Sequence, residues 1–455
     1  MENWEGVRVV VLGLARQGKA LTRYLTEHGA EVIASDLKRE DELPLDELSD
    51  LEIQFELGDH PHRLLEQADL LCLSGGIPAD LPLAQQARLQ GIRVANDSQL
   101  FLENSLAPVI GITGSAGKTT TTELLGRMGR AAVEGSKRSV WVGGNIGRPL
   151  IADLDQIKQD DLVVMELSSF QLELMTASPK TAAVLNLTPN HLDRHHTLEA
   201  YTAAKANILN FQLEGDTAVL SREDPAAWGL RNYVQGRLLS FGVRPFDGEG
   251  TYVERGQVRL ILGGEEVRLF PVEAISLRGP HNLQNVLAAS ALAGAAGIEP
   301  EAMLAGVEGF TGVEHRLEFV RTVGGADWYN DSIATAPERT VAAIRSFGEP
   351  VVLLAGGRDK DLDWRELITL ISLRVDHLVL FGESAPMIEG LLHSSSGGRP
   401  YTQTMADGLE QAVRAAAEVA DEGDVVLLAP GGTSYDEFID FAARGARFKE
   451  LVRGL

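Results

Sequence analysis

VIGITGSAGKTTTTELL, residues Val109 to Leu125, is the stretch from which the rest of the chain can be read. Five residues with strand character, Val109 to Thr113, run into the glycine-rich turn Gly114-Ser115-Ala116-Gly117. The chain then leaves through Lys118-Thr119-Thr120-Thr121 into a helix-competent segment. A strand–loop–helix unit of this composition cradles phosphate. Small residues let backbone N–H groups converge on the oxygens, the helix turns its positive end toward them, Lys118 adds a cation, and Thr119 offers a hydroxyl to a nucleotide-bound Mg²⁺. The general P-loop pattern has glycine five residues before the Gly of Gly-Lys, where this chain has Ile112, so the stretch is the variant TGxxGK[ST]. A glycine turn capping an ordinary helix is the plain alternative. A Lys-Thr-Thr start directly after a strand has little packing rationale under it.

At 455 residues the chain is long enough for two or three domains. Its 44% hydrophobic content, with strand-like and helix-like segments alternating, predicts globular α/β structure. No apolar run approaches the roughly 18–20 residues of a membrane helix, and the opening Met-Glu-Asn-Trp-Glu-Gly is too acidic for a secretory leader, so a cytoplasmic protein without a membrane partner is expected. A single cysteine, Cys72, excludes an intramolecular disulfide and a multi-thiolate zinc site; within Asp69 to Leu73 it reads as a buried strand residue. The formal charge of −24 argues against nucleic acid as a partner, but not against a nucleotide, for which a few local cations suffice.

Upstream, Val7 to Asp36 has the form β–α–β, with the turn Gly13-Leu14-Ala15-Arg16-Gln17-Gly18 and an acid, Asp36, where a dinucleotide-binding protein keeps its ribose ligand. Either a phosphate-bearing ligand lies over the following helix, or the glycines merely pack helix on strand. Short strands at Ile53 to Glu56 and Leu70 to Leu73 follow, the second ending in Ser74-Gly75-Gly76-Ile77-Pro78. Two flexible turns at strand carboxyl ends predict one crevice in a Rossmann-like domain of residues 1–106.

A central domain is predicted over 107–312. After the P-loop come Gly143-Gly144-Asn145-Ile146-Gly147, the strand Leu162 to Met165 ending in Glu166-Leu167-Ser168-Ser169, and the strand Ala182 to Leu187 ending in the segment with His191. Beside a P-loop, Glu166 suits an oxygen ligand and His191 a nitrogen ligand or hydrogen-bond donor of a Mg²⁺–nucleotide site. Their plain readings are a helix cap or surface acid and a satisfied strand-end histidine. Lys205, on a helix over Tyr201 to Leu209, reads by composition as a solvated or snorkelling lysine. Thr217 to Phe270 is β-rich. Asn282 and Asn285, three apart at a helix start, could read an adenine edge or cap the helix. A third domain, 313–455, alternates strands at Ala326 to Tyr329, Val351 to Leu354, His377 to Phe381 and Val425 to Leu428 with helices. Polar clusters stand at Asn330 to Ser332, Gly356 to Lys360 and Pro430 to Ser434, and a small polar loop at 394–398. This predicts a second doubly wound sheet. The fold class is therefore three-domain α/β: a Rossmann-like N-terminal domain, a P-loop domain with a parallel sheet and a small β-rich part, and a Rossmann-like C-terminal domain.

The order TGSAGKTT, GGNIG, ELSSFQL, NHLDRH, YxxAK (Tyr201 to Lys205), HNxxN, EHRLE, NDS, GGxxK and SxDxF resembles the Mur ligases over nearly the whole chain. The first domain, ELSSFQL and Ser434 to Phe438 look most like the members that add D-glutamate to UDP-N-acetylmuramoyl-L-alanine. The resemblance implies an ATP-dependent, ADP-forming ligase of peptidoglycan precursor synthesis, monomeric, with ATP and two Mg²⁺ ions. ATP would lie between the central and third domains, so that closure of the third domain completes the site. The substrate carboxylate would attack the γ-phosphate, and the glutamate amine would then attack the acyl phosphate. The resemblance makes Lys118, Glu166, His191 and Lys205 catalytic. Thr119, Glu166, His191 and a carbamylated Lys205 would be metal ligands. Gly114, Ser115, Ala116, Gly117, Lys118, Thr119, Thr120, Thr121, Asn282, Asn285, Arg316 and Asp331 would contact ATP. Leu14, Ala15, Arg16, Asp36, Leu37, Ser74, Gly75, Gly76, Ile77, Asn145, Ser168 and His191 would contact the UDP-substrate, and Thr335, Lys360, Ser434 and Phe438 the glutamate. Three departures stand out: Ile333 where many such sequences have lysine, Ala429-Pro430-Gly431 in place of Ser-Pro-Ala, and Ala116 where asparagine is common. An L-glutamate-adding variant, another Mur ligase and a non-catalytic nucleotide-sugar binder are the competing readings.

Overall fold

Runs of Val, Ile, Leu and Ala bounded by glycine turns make strands buried on both faces, and such strands assemble into parallel sheets covered by helices. A computed structural model describes residues 3–189, 192–394 and 398–455. It contains three sheets. The first comprises β1 (Arg8–Leu12), β2 (Glu31–Asp36), β3 (Gln54–Leu57), β4 (Leu70–Leu73) and β5 (Arg93–Ala95), all parallel, in the order β3-β2-β1-β4-β5. Cys72 is buried in β4, as the sequence predicts.

The central sheet has nine strands: β6 (Val109–Thr113), β7 (Val140–Gly144), β8 (Leu162–Glu166), β9 (Thr181–Val184), β10 (Thr217–Ser221), β11 (Arg237–Phe241), β12 (Gly250–Glu254), β13 (Gln257–Leu262) and β14 (Glu265–Pro271), in the order β14-β13-β12-β11-β10-β9-β6-β8-β7. The β-rich segment after Thr217 extends the P-loop sheet itself: β12 pairs in parallel with β11, and β13 alone runs against the others, pairing antiparallel with both β12 and β14. The P-loop strand β6 lies between β8 and β9, with Ile112 opposite Glu166 and Thr113 opposite Val184. That register brings the ends of three strands to one edge.

Two compact units emerge, 1–276 with 281–309, and 277–280 with 310–455. In the first, one buried apolar cluster runs from Val9, Val11 and Phe101 through Ile151 and Leu154 to Val163 and Val184, so the first two sheets share a continuous core. In the second, β15 (Glu318–Val323), β16 (Ala326–Asn330), β17 (Val351–Gly356), β18 (Val375–Phe381), β19 (Thr402–Ala406) and β20 (Val425–Gly431) form a sheet ordered β15-β16-β20-β17-β18-β19, with only β15 antiparallel. Separate apolar clusters cover its two faces, one around Leu353, Leu378 and Leu427 and one around Leu354, Val379 and Phe448. Among the described residues no helix is long and apolar enough to cross a membrane.

Candidate active site

The glycine turn after β6 is held from outside. Asn186, just past β9, accepts from Ala116 N (2.8 Å) through Oδ1 and donates through Nδ2 to Ala116 O (3.0 Å), while its carbonyl accepts from Ser115 N (2.9 Å). Ser115 Oγ donates to Thr188 O (3.0 Å) and lies 2.9 Å from the Tyr201 hydroxyl. Two of the loop's amides are thus occupied by Asn186. The amides that open the helix Lys118–Val133 are the ones a helix start leaves for a phosphate. Gly117, at φ +82°, caps that helix, and a Cβ there would stand 2.2 Å from Asn285 Oδ1.

Glu166 closes β8 with 1% exposure. Its Oε2 accepts from Thr119 Oγ1 (2.9 Å) and its Oε1 from Asn145 Nδ2 (2.8 Å), while its backbone O accepts from Asn145 N (2.9 Å). It is neither a cap nor a surface acid. Hydroxyl and carboxylate oxygens at the mouth of a P-loop are the donors Mg²⁺ takes, with phosphate oxygens and water completing its shell. Among the described residues no group of three or more His, Cys, Asp or Glu could cage a metal without a ligand's help.

Lys205 departs from its compositional reading. It is 1% exposed, and its Nζ donates to Thr113 Oγ1 (3.1 Å) and Gly114 O (3.0 Å). Burial holds its pKa well below that of an ordinary lysine, the nearby Lys118 charge adds to this, and Glu166 opposes it. The helix Leu198–Asn210 carries it inward because Tyr201, Ala204 and Ile208 on that helix are also buried. Lys118 Nζ donates to the same Gly114 carbonyl (3.0 Å). Thr113 completes the arrangement by donating to Leu167 O (2.8 Å). His191 lies outside the described residues. Asn282 and Asn285 sit inside the helix Pro280–Ala295, and Asn285 Nδ2 donates to Asn282 Oδ1 (3.1 Å).

In the first sheet the two predicted turns meet. A Cβ on Gly13 would approach Ile77 Cγ1 to 3.0 Å and Ser74 Cβ to 3.1 Å, and one on Gly18 would stand 1.7 Å from Gly13 O. The glycines therefore do pack helix on strand. Asp36 accepts from Leu14 N (2.7 Å) and Lys38 N (2.9 Å), which fixes the turn Leu14–Arg16; Leu37 is exposed. Arg16 Nη2 donates to Asn145 O (3.4 Å), and Arg194 Nη2 to Ile77 O (2.9 Å), so the turns of the first sheet adjoin the central-sheet loops. Ser168 caps the helix Ser169–Leu172, its hydroxyl engaged with Gln171 at both Oε1 and N.

In the second unit the loops after β16, β17 and β20 converge. Asp331, 5% exposed, accepts from Leu317 N (3.1 Å), and burial pushes its carboxyl up to about 6. His315 (φ +62°) and Leu317 (φ +42°) flank Arg316 in left-handed conformations, which non-glycine residues keep only where the surroundings enforce them. Arg358 and Thr433 exchange backbone hydrogen bonds of 2.9 and 2.8 Å, joining the Gly356–Lys360 loop to the turn before Ser434. Phe438 N closes that turn on Ser434 O (2.7 Å); Thr335 is half-buried and Lys360 exposed. Sequence reading missed Arg444. It is 1% exposed, donates to Ser332 Oγ and O and to the carbonyls of Thr433 and Gly432 (2.9–3.2 Å), and its pKa falls to about 10 because of burial. Thr113 and Gln171, although inside the quoted TGSAGKTT and ELSSFQL, were given no role, and Asn186 was missed too; only its position just past a strand could have drawn attention.

A P-loop sheet followed by a second doubly wound sheet and preceded by a Rossmann-like one defines the class: the chain belongs to the Mur ligase family. Three family descriptions match it in order: "Mur ligase MurD-like, N-terminal domain" over residues 7–96, "Mur ligase middle domain" over 112–293, and "Mur ligase, glutamate ligase domain" over 315–432. Within that class the chain is similar to the UDP-N-acetylmuramoylalanine–D-glutamate ligases of Pelotomaculum thermopropionicum (40% identity, 98% of both chains) and Thermoanaerobacter sp. strain X514 (38%, 99% of both). Among solved structures, UDP-N-acetylmuramate-alanine ligase MurC of Thermotoga maritima (TM-score 0.58, 20% identity, 98% of this chain and 99% of that one) has the same fold. So has MurF ligase from Thermotoga maritima in complex with ADP (TM-score 0.56, 21%, 100% and 97%).

Proposed function

We propose that the chain catalyses ATP-dependent addition of D-glutamate to UDP-N-acetylmuramoyl-L-alanine in peptidoglycan precursor synthesis, releasing ADP and phosphate. The observation that carries this is 40% identity over 98% of both chains to a ligase of that name. The carboxylate oxygen of the alanyl group attacks the γ-phosphorus, and the bond to the ADP oxygen breaks. The D-glutamate amine then attacks the acyl-phosphate carbon, loses a proton, and phosphate leaves. Bringing an anion up to a triphosphate is the electrostatic obstacle, and Lys118 with the helix start behind it offsets the repulsion. Thr119 and Glu166 would hold Mg²⁺, which supplies charge neutralisation at the phosphates when bound. Their 2.9 Å contact supports that pairing. Asn145 orients the other Glu166 oxygen.

His191 and a carbamylated Lys205 belong to the same reading. Burial favours the neutral amine of Lys205 that carbamylation requires. The first-sheet turns around Leu14 to Arg16 and Ser74 to Ile77 would take the UDP moiety, with Asn145 and Ser168 nearer the alanyl end. Thr335, Lys360, Ser434 and Phe438 would take glutamate; Asn282, Asn285, Arg316 and Asp331 would take the nucleotide. An ATP-consuming step on a nucleotide-linked precursor supports a cytoplasmic reaction.

Phosphate release from ATP, with UDP-N-acetylmuramoyl-L-alanine and Mg²⁺, is to be compared with D-glutamate, L-glutamate and no amino acid. Turnover with D-glutamate alone is the expected outcome and makes Ile333 a tolerated replacement. Turnover with L-glutamate alone, or with neither, overturns the proposal.

A further inference from the structure

Three residues beyond Glu166, the chain enters the one-turn helix Ser169–Leu172, and the glutamine in that turn reaches in two directions. Gln171 Oε1 accepts from Ser168 N and from Ser168 Oγ, each at 2.9 Å. Its Nε2 donates to Ser98 Oγ at 2.8 Å, and its backbone O accepts from Asn96 Nδ2 at 2.9 Å. Asn96 and Ser98 belong to the start of the helix Asp97–Asn104, directly after β5 of the first sheet. The seam is dry: Gln171 and Asn96 are each 1% exposed and Ser98 0%. Gln99 extends it by accepting from Thr176 N at 2.8 Å.

A primary amide has a pure acceptor at one end and a pure donor at the other, and carries no charge. Here the acceptor end fixes Ser168, on the strand end that carries Glu166, and the donor end fixes a helix of the first sheet. In a buried network each unsatisfied group is costly, so the two ends move together or the seam opens. The opposite side of the one-turn helix is equally held. Ser169 Oγ lies 3.0 Å from His195 Nε2, and Phe170 stacks on His195 with 5.5 Å between ring centres.

We propose that Gln171 is a positioning residue that couples occupancy of the first-sheet crevice by the uridine-nucleotide sugar to Mg²⁺ binding at Glu166. A ligand settling on the carboxyl edge of the first sheet shifts or stiffens the helix Asp97–Asn104. Ser98 and Asn96 carry that to Gln171, and Gln171 carries it to Ser168 and Glu166. The inference rests on the reading of Glu166 and Thr119 as Mg²⁺ holders given above.

The test is binding of a non-hydrolysable ATP analogue as a function of Mg²⁺, by calorimetry, with and without UDP-N-acetylmuramoyl-L-alanine and with no amino acid present. In the unaltered protein the UDP-substrate should lower the half-saturating Mg²⁺ concentration about fivefold or more. Ser98→Ala, which removes one oxygen far from the phosphates, and Gln171→Met should abolish that shift. Ser98→Thr, which keeps the hydroxyl, should restore it. A residue that only supported the fold would lower the melting temperature and leave the shift in place. That result, or the lack of a shift in the unaltered protein, overturns the proposal. Glu166→Gln separates the two inferences. If it leaves the Mg²⁺ dependence of analogue binding unchanged, the reading of Glu166 fails. If it removes that dependence while Ser98→Ala keeps the shift, the coupling alone fails. Should Gln171→Met not fold, the two Ser98 variants decide.

Discussion

Two lysine side-chain nitrogens converge on the Gly114 carbonyl, and only that of Lys118 belongs to the phosphate loop. Lys118→Ala should cut phosphate release by about a hundredfold or more, in line with the loss of a preorganised charge at a phosphoryl group. Continuous phosphate detection checks it, and near-normal turnover would contradict the mechanism. Asp331 allows a prediction of opposite sign for stability. Its folded pKa is raised from 3.8 to about 6 by burial, so the stability it contributes is full below its unfolded pKa and is lost as pH rises through 6. At neutral pH the buried carboxylate therefore costs on the order of 2–3 kcal/mol. Asp331→Asn should raise the urea midpoint at pH 7.5, raise it by only about a third as much at pH 4.5, and still impair turnover if the carboxylate serves the nucleotide. Lys205 shows what a sequence conceals. Its helix was legible, but its burial follows from which face of that helix meets β6, and composition holds no record of a helix's rotation.

Among elements, inner strands with parallel neighbours on both sides were the easiest to foresee. Val109 to Thr113 and Leu70 to Leu73 match the structure residue for residue, because apolar runs between glycine turns have few other ways to bury themselves. The outer strands Glu318–Val323 and Thr402–Ala406 went unread, since TQTMA and EFVRTV face solvent in part and lack such a run. The partners of Asn186, Gln171 and Arg444 were beyond reach for another reason: each joins segments far apart in sequence, and only tertiary packing selects them. Arg444→Met tests one such joint. It leaves the carbonyls of Ser332 and Gly432 without a buried donor, and Thr433 O with only its bond from Arg358 N, so a loss of about 3 kcal/mol is expected in urea unfolding. In the same sheet, His377 lies between Thr402 Oγ1 (2.5 Å) and Thr404 Oγ1 (2.9 Å), and burial lowers its pKa. The neutral ring's contribution is present above its unfolded pKa of about 6.5 and lost as pH falls through the lower folded value. Replacing it with leucine should flatten the decline of melting temperature between pH 7 and 5 relative to the unaltered protein.

For the whole molecule, the number of sheets and their order along the chain were legible from the alternation of apolar runs and polar strand ends. That the β-rich segment would extend the P-loop sheet was not, because strand pairing across a long connection leaves no local signal. Residues 310–455 contain both apolar clusters of their sheet and should fold as a separate fragment with cooperative thermal unfolding by circular dichroism. The ion pairs lost with Arg278 are partly exposed and contribute little. The first two sheets behave differently, since one apolar cluster belongs to both. Wherever a core is undivided, cutting the chain between its halves exposes oily surface on each, so separately produced pieces 1–106 and 107–309 would clump in the test tube. An inhibitor designed for either set of loops would meanwhile act as a pharmacological chaperone for the other.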